Sequence, residues 1–125
     1  MALHCFLYSM TIEQVRRVCL ALPHAAESIK WENNLVFSID GKMFAIAGLE
    51  PGPVWLSFKC SPEDYAELIE RAEIRPAPYL ARAQWVALET PHALSEKEIG
   101  RRLEAAYKIV FAKLPKNRRE ALGRG

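Results

Sequence analysis

Long apolar runs are missing from this chain. Nothing approaches the roughly 18 consecutive apolar residues that mark a membrane-spanning helix, so no membrane association is expected. Cysteine is scarce and odd in number: Cys5, Cys19 and Cys60 are far apart. That excludes a disulfide framework and reads as reduced thiols in a cytoplasmic protein. The six glycines fall mostly in turns or at chain ends. No Gly-rich phosphate cradle, P-loop, G-x-G-x-x-G or H-E-x-x-H pattern is present. His4, His24 and His92 lie in separate regions, and none pairs with a cysteine at ligand spacing, so no metal or cofactor is expected. Charge of one sign is also lacking. The formal charge of +2 gives no global field of the kind that marks a strong polyanion binder.

What is there suffices for a core. The chain has 125 residues, half of them apolar, which suits one domain that folds without metal or disulfide. Residues 1–9 are apolar but short, with no basic n-region and no small-residue cleavage site, so a signal peptide is not expected. They read as an extension ahead of a single domain over residues 10–122, with a short tail at 123–125.

The elements follow from periodicity and caps. Thr11 and Gln14 form a capping-box pattern, and Ile12, Val15, Val18, Cys19 and Leu22 recur at helical spacing up to Pro23. Residues 28–32 alternate polar and apolar as a strand, and Asn33-Asn34 suits a two-residue turn. Leu35 to Ile39, Asp40-Gly41 and Lys42 to Gly48 read as strand, tight turn and strand. After Pro51-Gly52-Pro53, residues 54–59 form a fourth strand, expected to place Trp55, Ser57 and Lys59 on one face. Ser61 caps a second helix with Pro62 at its first position. Residues 75–79 are a rigid extended loop, because Pro76 and Pro78 exclude a helix interior. Trp85 to Leu88 is a fifth strand. Ser95 and Glu98 form a second capping-box pattern, which opens a third helix that runs toward Pro115, and one further helical turn is expected in the tail. The order α-β-β-β-β-α-β-α implies an α+β, two-layer fold: an antiparallel β-sheet with helices packed on one face and the other face at least partly open.

Candidate chemistry is thin. Cys60 stands near a helix start, where a dipole can lower a thiol pKa, but no histidine partner is evident; a passive strand-end cysteine is the plainer reading. Lys59 closes the fourth strand and can pair with a carboxylate, bind an anion or serve structurally. Arg75, Tyr79, Arg82 and Trp85 combine cations and rings within eleven residues, as nucleic acid or an anionic ligand would require; Tyr79 and Trp85 can equally be core anchors. Lys42, beside the Asp40-Gly41 turn, is a further candidate contact. Lys113, Lys116, Arg118, Arg119 and Arg124 gather basic charge at the end, which a solvated helix terminus also explains. A catalytic site would need Lys59, Tyr79 and a carboxylate such as Glu32 or Glu63 in one pocket. No catalytic residue is assigned.

Four segments stand out: M-T-x-x-x-V-x-x-x-C-L-A-L-P from Met10, V-F-x-I-D-G-K-M-F-A from Val36, S-F-K-C-S-P-E from Ser57, and P-Y-L-x-x-x-x-W-V-x-L from Pro78. Together they resemble the MmcQ/YjbR family of small bacterial proteins. The resemblance runs from about Met10 to Leu122. It implies a two-layer α+β fold similar to type III secretion chaperones and frataxin-like (CyaY-like) proteins. Members are described as DNA-binding through a double-wing arrangement, and no enzyme activity goes with them. Lys59, Tyr79 and Trp85 match the family's recurring polar and aromatic positions. The expectation is therefore a non-enzymatic binding module with DNA as its partner. The alternative is a protein-interaction or chaperone-like module using the open sheet face, and a small-ligand enzyme around Lys59 stands third. Lys42, Lys59, Arg75 and Arg82 on one face would favour the DNA partner.

Overall fold

The computed structural model describes residues 10–124. The expected extension over residues 1–9, with His4 and Cys5, lies outside the described residues, as does Gly125. Helix α1 is Ile12–Leu20. Its capping box is formed: Thr11 Oγ1 accepts from the Gln14 amide at 3.2 Å, and Gln14 Oε1 accepts from the Thr11 amide at 2.8 Å. It ends two residues earlier than Leu22, because Pro23 drives the preceding residue away from helical backbone.

Six strands follow: β1 Ala25–Lys30, β2 Asn34–Ile39, β3 Lys42–Gly48, β4 Leu56–Lys59, β5 Ile74–Pro76 and β6 Trp85–Leu88. They form one antiparallel sheet in the order β1-β2-β3-β4-β6-β5. Helix α2, Pro62–Leu68, carries the chain from β4 to the β5 edge. Helices α3, Glu96–Ala112, and α4, Lys116–Arg124, complete the chain.

Several expectations are corrected. β1 starts at Ala25 rather than Ser28, and Lys30 pairs with Asn34, so the turn is Trp31-Glu32-Asn33 rather than Asn33-Asn34. Trp31 and Glu32 take the left-handed conformation there, with φ of 51° and 68°. Arg75 lies in edge strand β5 rather than in a loop. Extended backbone before and at a proline becomes a strand when a neighbour pairs with it, and an edge is where a missing N–H is tolerated. The tail forms a nine-residue helix instead of one turn. The Asp40-Gly41 turn is as expected: Ile39 pairs with Lys42, and both turn residues have positive φ, 50° and 78°, the geometry of a type I′ hairpin.

The sheet has two unlike faces. Leu35, Phe37, Ile39, Ala45, Ala47, Leu56, Phe58, Val86 and Leu88 point to one face and share the main core with Val15, Cys19, Leu68, Ile99, Leu103 and Ala106 of the helices. The register shifts after Phe37 in β2, and Phe44 is the extra residue opposite that point in β3. Such a bulge re-aims a side chain, and the Phe44 ring enters the main core. Val54 and Trp55 precede β4, so the expected alternation fails. Trp55 packs toward the main core, and Val54 packs with the opposite face.

An ionic network ties α2 to α3. Glu98 meets Arg71 at 3.1 Å and Arg102 at 3.0 Å, and Arg102 also meets Asp64 at 3.2 Å. Burial alone would raise the Glu98 pKa, but hydrogen bonds from Arg102 and Arg71 outweigh it and hold the carboxyl below its ordinary value of 4.5. A depressed folded-state pKa contributes stability that is fully present above about pH 4.5 and is lost as pH falls through the folded value. Glu98→Gln is expected to lower stability at pH 7 by about 1–3 kcal/mol and to shrink that acid-side loss. Urea melts at pH 7 and at pH 3.5 check both effects.

Candidate functional site

The second sheet face carries a smaller apolar cluster of its own. Trp85, Ala87 and Ala77 are buried there, with Met43, Ile46, Val54 and Leu80 packed against them. The register explains this: Ile46 pairs with Ser57, Ser57 with Ala87 and Lys59 with Trp85, all on the side away from the helices. The connection from β5 to β6 folds over this face. The Ala77 amide donates to the Trp85 carbonyl at 3.0 Å, and Ala81–Ala83 form a 3₁₀ turn that ends on left-handed Gln84. The face expected to be at least partly open is so, with a partial roof over it.

Between the roof and the β1–β2 turn lies an apolar groove of about 570 Å³, whose floor includes Met43, Ile46, Val54 and Ser57. Its lining also includes two exposed aromatics, Trp31 at 62% exposure and Tyr79 fully exposed. Tyr79, like Trp31, has a positive φ, 66°. Bulky side chains rarely adopt that conformation, and such strain gathers at functional sites.

Beside the groove, sharing Met43 with it, is a smaller cavity of about 280 Å³. Lys42, Lys59, Lys113 and Trp85 line it together with Val110, Leu114 and Pro115 from the end of α3. Lys59 is only 8% exposed and donates to the Ala83 carbonyl of the roof. Burial lowers its pKa, and the nearby Lys113 ammonium lowers it further. Among the described residues, none of these three lysines has a carboxylate within ion-pair distance of 4 Å.

The six candidate residues are thus split. Lys42, Lys59 and Trp85 meet in one cavity. Tyr79 lines the groove and is not a core anchor, whereas Trp85 is buried. Arg75 shares the face through its pairing with Ala87 but leans on Glu89 at 3.9 Å. Arg82 is exposed on the roof. Sequence reasoning missed Trp31 and Lys113 as site residues. A large aromatic among the polar residues of a turn was the available signal for Trp31. Lys113 was legible only as one of several basic residues near the chain end, because only the packing of α3 brings it to Lys59.

Other candidate chemistry is not assembled. The Cys60 thiol is buried, which together with the nearby Asp64 pushes its pKa up to about 11, the reverse of an activated nucleophile. Burial alone raises Cys19 to about 12. Neither Glu32 nor Glu63 reaches Lys59. Two cations of the basic tail face carboxylates. Asp40 accepts two hydrogen bonds from the Arg118 guanidinium, at 2.8 and 3.1 Å, and Lys116 faces Glu120 at 4.0 Å. Among the described residues, no three of His, Cys, Asp and Glu gather to hold a metal ion, and no helix is long and apolar enough to cross a membrane.

No curated protein sequence matches this chain. Among solved structures, the Deinococcus radiodurans protein DR2400, described by the family-model domain DUF419, is similar at 28% identity and a TM-score of 0.83, covering 92% of this chain and 89% of its own. A Pseudomonas syringae protein is similar at 20% identity and a TM-score of 0.65, over 81% of this chain and 99% of its own, which speaks for the fold alone. The model of the YjbR family matches residues 20–109, from the end of α1 to the last turns of α3, and this chain belongs to that family.

Proposed function

We propose that this protein is a non-enzymatic binding module that takes single-stranded nucleic acid across the sheet face opposite its helices. The observation that carries this reading is one of placement. Exposed rings (Trp31, Tyr79) border an apolar groove, and cations without carboxylate partners (Lys42, Lys59, Lys113) adjoin it. Bases stack on aromatic faces regardless of sequence, while ammonium groups meet the phosphates. A duplex fits less well. The β2–β3 hairpin tip, a natural wing, is tied down and neutralised by the Asp40–Arg118 pair.

Fluorescence anisotropy with labelled oligonucleotides tests it. Single strands are expected to bind more tightly than duplexes of the same length. With Lys42, Lys59, Lys113 and Arg82 as phosphate contacts, log K is expected to fall against log salt with a slope of about −3, at ~0.7 per neutralised phosphate. Failure to bind either form at low salt would overturn the proposal.

The apolar floor of Met43, Ile46, Val54 and Leu80 favours a second reading, a protein segment laid in the groove. Its mark would be affinity that is insensitive to salt, together with a partner recovered by the wild-type protein and lost on Ile46→Asp.

A further inference from the structure

The lysine-lined cavity has features that a general stacking surface does not require. Its volume, about 280 Å³, lies below the roughly 300–1,000 Å³ of sites that enclose a drug-sized ligand. It suits a head group rather than a whole nucleotide. Three lysines line it from three elements: Lys42 opens β3, Lys59 closes β4 and Lys113 follows α3, close enough for its charge to act on Lys59. Lys59 uses one of its three donors on the Ala83 carbonyl and keeps two. The Asp40 carboxylate, which feels the charge of Lys42, is already engaged by Arg118. Like charges gathered without a counter-charge oppose folding unless an anion joins them.

Apolar walls close the cavity on the α3 side: Val110, Leu114 and Pro115. The cavity and the groove share Met43, so one ligand can reach from one into the other. An internal phosphodiester carries a single charge and two continuing chains. A phosphomonoester is close to a dianion at neutral pH and has only one substituent.

We propose that the cavity formed by Lys42, Lys59, Lys113 and Trp85 binds a phosphomonoester, with the body of the same ligand lying in the adjoining groove. Two sources share this chemistry: the phosphorylated end of a nucleic-acid strand and a small phosphorylated molecule. The strand-end form rests on the function proposed above; the cavity as a phosphate site does not.

The test uses the full chain and two probes. Inorganic phosphate is titrated by NMR, reading the Trp85 indole and Lys59 resonances. An eight-residue oligothymidylate bearing a 5′-phosphate, a 3′-phosphate or neither is titrated by anisotropy. Lys42→Gln and Lys113→Gln alter exposed lysines and leave the core intact; Arg101→Gln on α3 serves as the control. The expected result is saturable phosphate shifts at Trp85 and Lys59. One phosphorylated strand should bind about ten- to hundredfold more tightly than the hydroxyl-ended strand. Lys42→Gln and Lys113→Gln should remove that advantage, and Arg101→Gln should not. If phosphate shifts the cavity resonances but no strand binds, the phosphate site stands with a small-molecule source, and the single-strand function falls. If all three strands bind alike and phosphate moves neither resonance, the phosphate site is overturned while the single-strand function survives.

Discussion

Phe44→Ala is expected to destabilise the protein by about 3–5 kcal/mol. The ring is fully buried. It meets Tyr107 of α3 edge-on at 5.7 Å between centroids and Phe37 of β2 at 6.5 Å. It therefore joins the sheet to the long helix that carries Lys113 toward Lys59. Its neighbours are themselves held: Tyr107 donates its hydroxyl to the Pro23 carbonyl at 2.8 Å and stacks on Phe111. With both sides fixed, the site cannot collapse, and the truncation leaves a cavity. Against a total stability of about 5–15 kcal/mol for an ordinary domain, the loss is a large fraction. Urea denaturation should show a lower midpoint with an unchanged slope. A loss under about 1 kcal/mol would mean that the bulge lets β3 close over the gap.

The double variant Trp31→Gly, Tyr79→Gly is expected to keep the fold and lose most single-strand affinity. Stacked bases contribute about 1–3 kcal/mol each, so two platforms account for roughly 2–6 kcal/mol of binding. Glycine is the right replacement because both positions have positive φ, which glycine adopts without steric cost. Alanine would leave the backbone strained and confuse a folding defect with a binding defect. The melting temperature is expected to stay the same or rise. Unchanged affinity in the double variant would remove the aromatic rim from the site and leave the lysines as its only binding feature.

Local chemistry made several elements legible. The Thr11–Gln14 box, the Ser61 cap and the Asp40-Gly41 turn form as the sequence implies, whereas only the Ser95 half of the Ser95–Glu98 box forms, because Arg71 and Arg102 hold the Glu98 carboxylate. Each depends on residues within a few positions of one another, so a single strand of text contains the whole interaction. The errors arose where local signals compete or run out. Alternation predicts a strand through Trp31, yet the chain turns there through left-handed backbone. A period of two predicts Trp55 on the face of Lys59, but the strand begins only at Leu56. Residues 74–76 are extended on either reading, and only pairing with β6 makes them a strand.

The four-segment resemblance and the α+β order could be read without coordinates, and the family and fold agree with them. The site could be read only in pieces. Lys59, Tyr79 and Trp85 were visible as cations and rings in suggestive places, but Lys42, Lys59 and Lys113 are separated by 17 and 54 positions along the chain. Their meeting depends on a β3–β4 pairing, on a β6 inserted between β4 and β5, and on where α3 ends over the sheet. The sequence by itself determined the helix starts, the Asp40-Gly41 turn and the α+β order, because caps, turns and periodicity act over short range. Only the tertiary structure decided which face each side chain joins and which charges gather there, because that depends on strand order and register, fixed by contacts between residues distant in the chain.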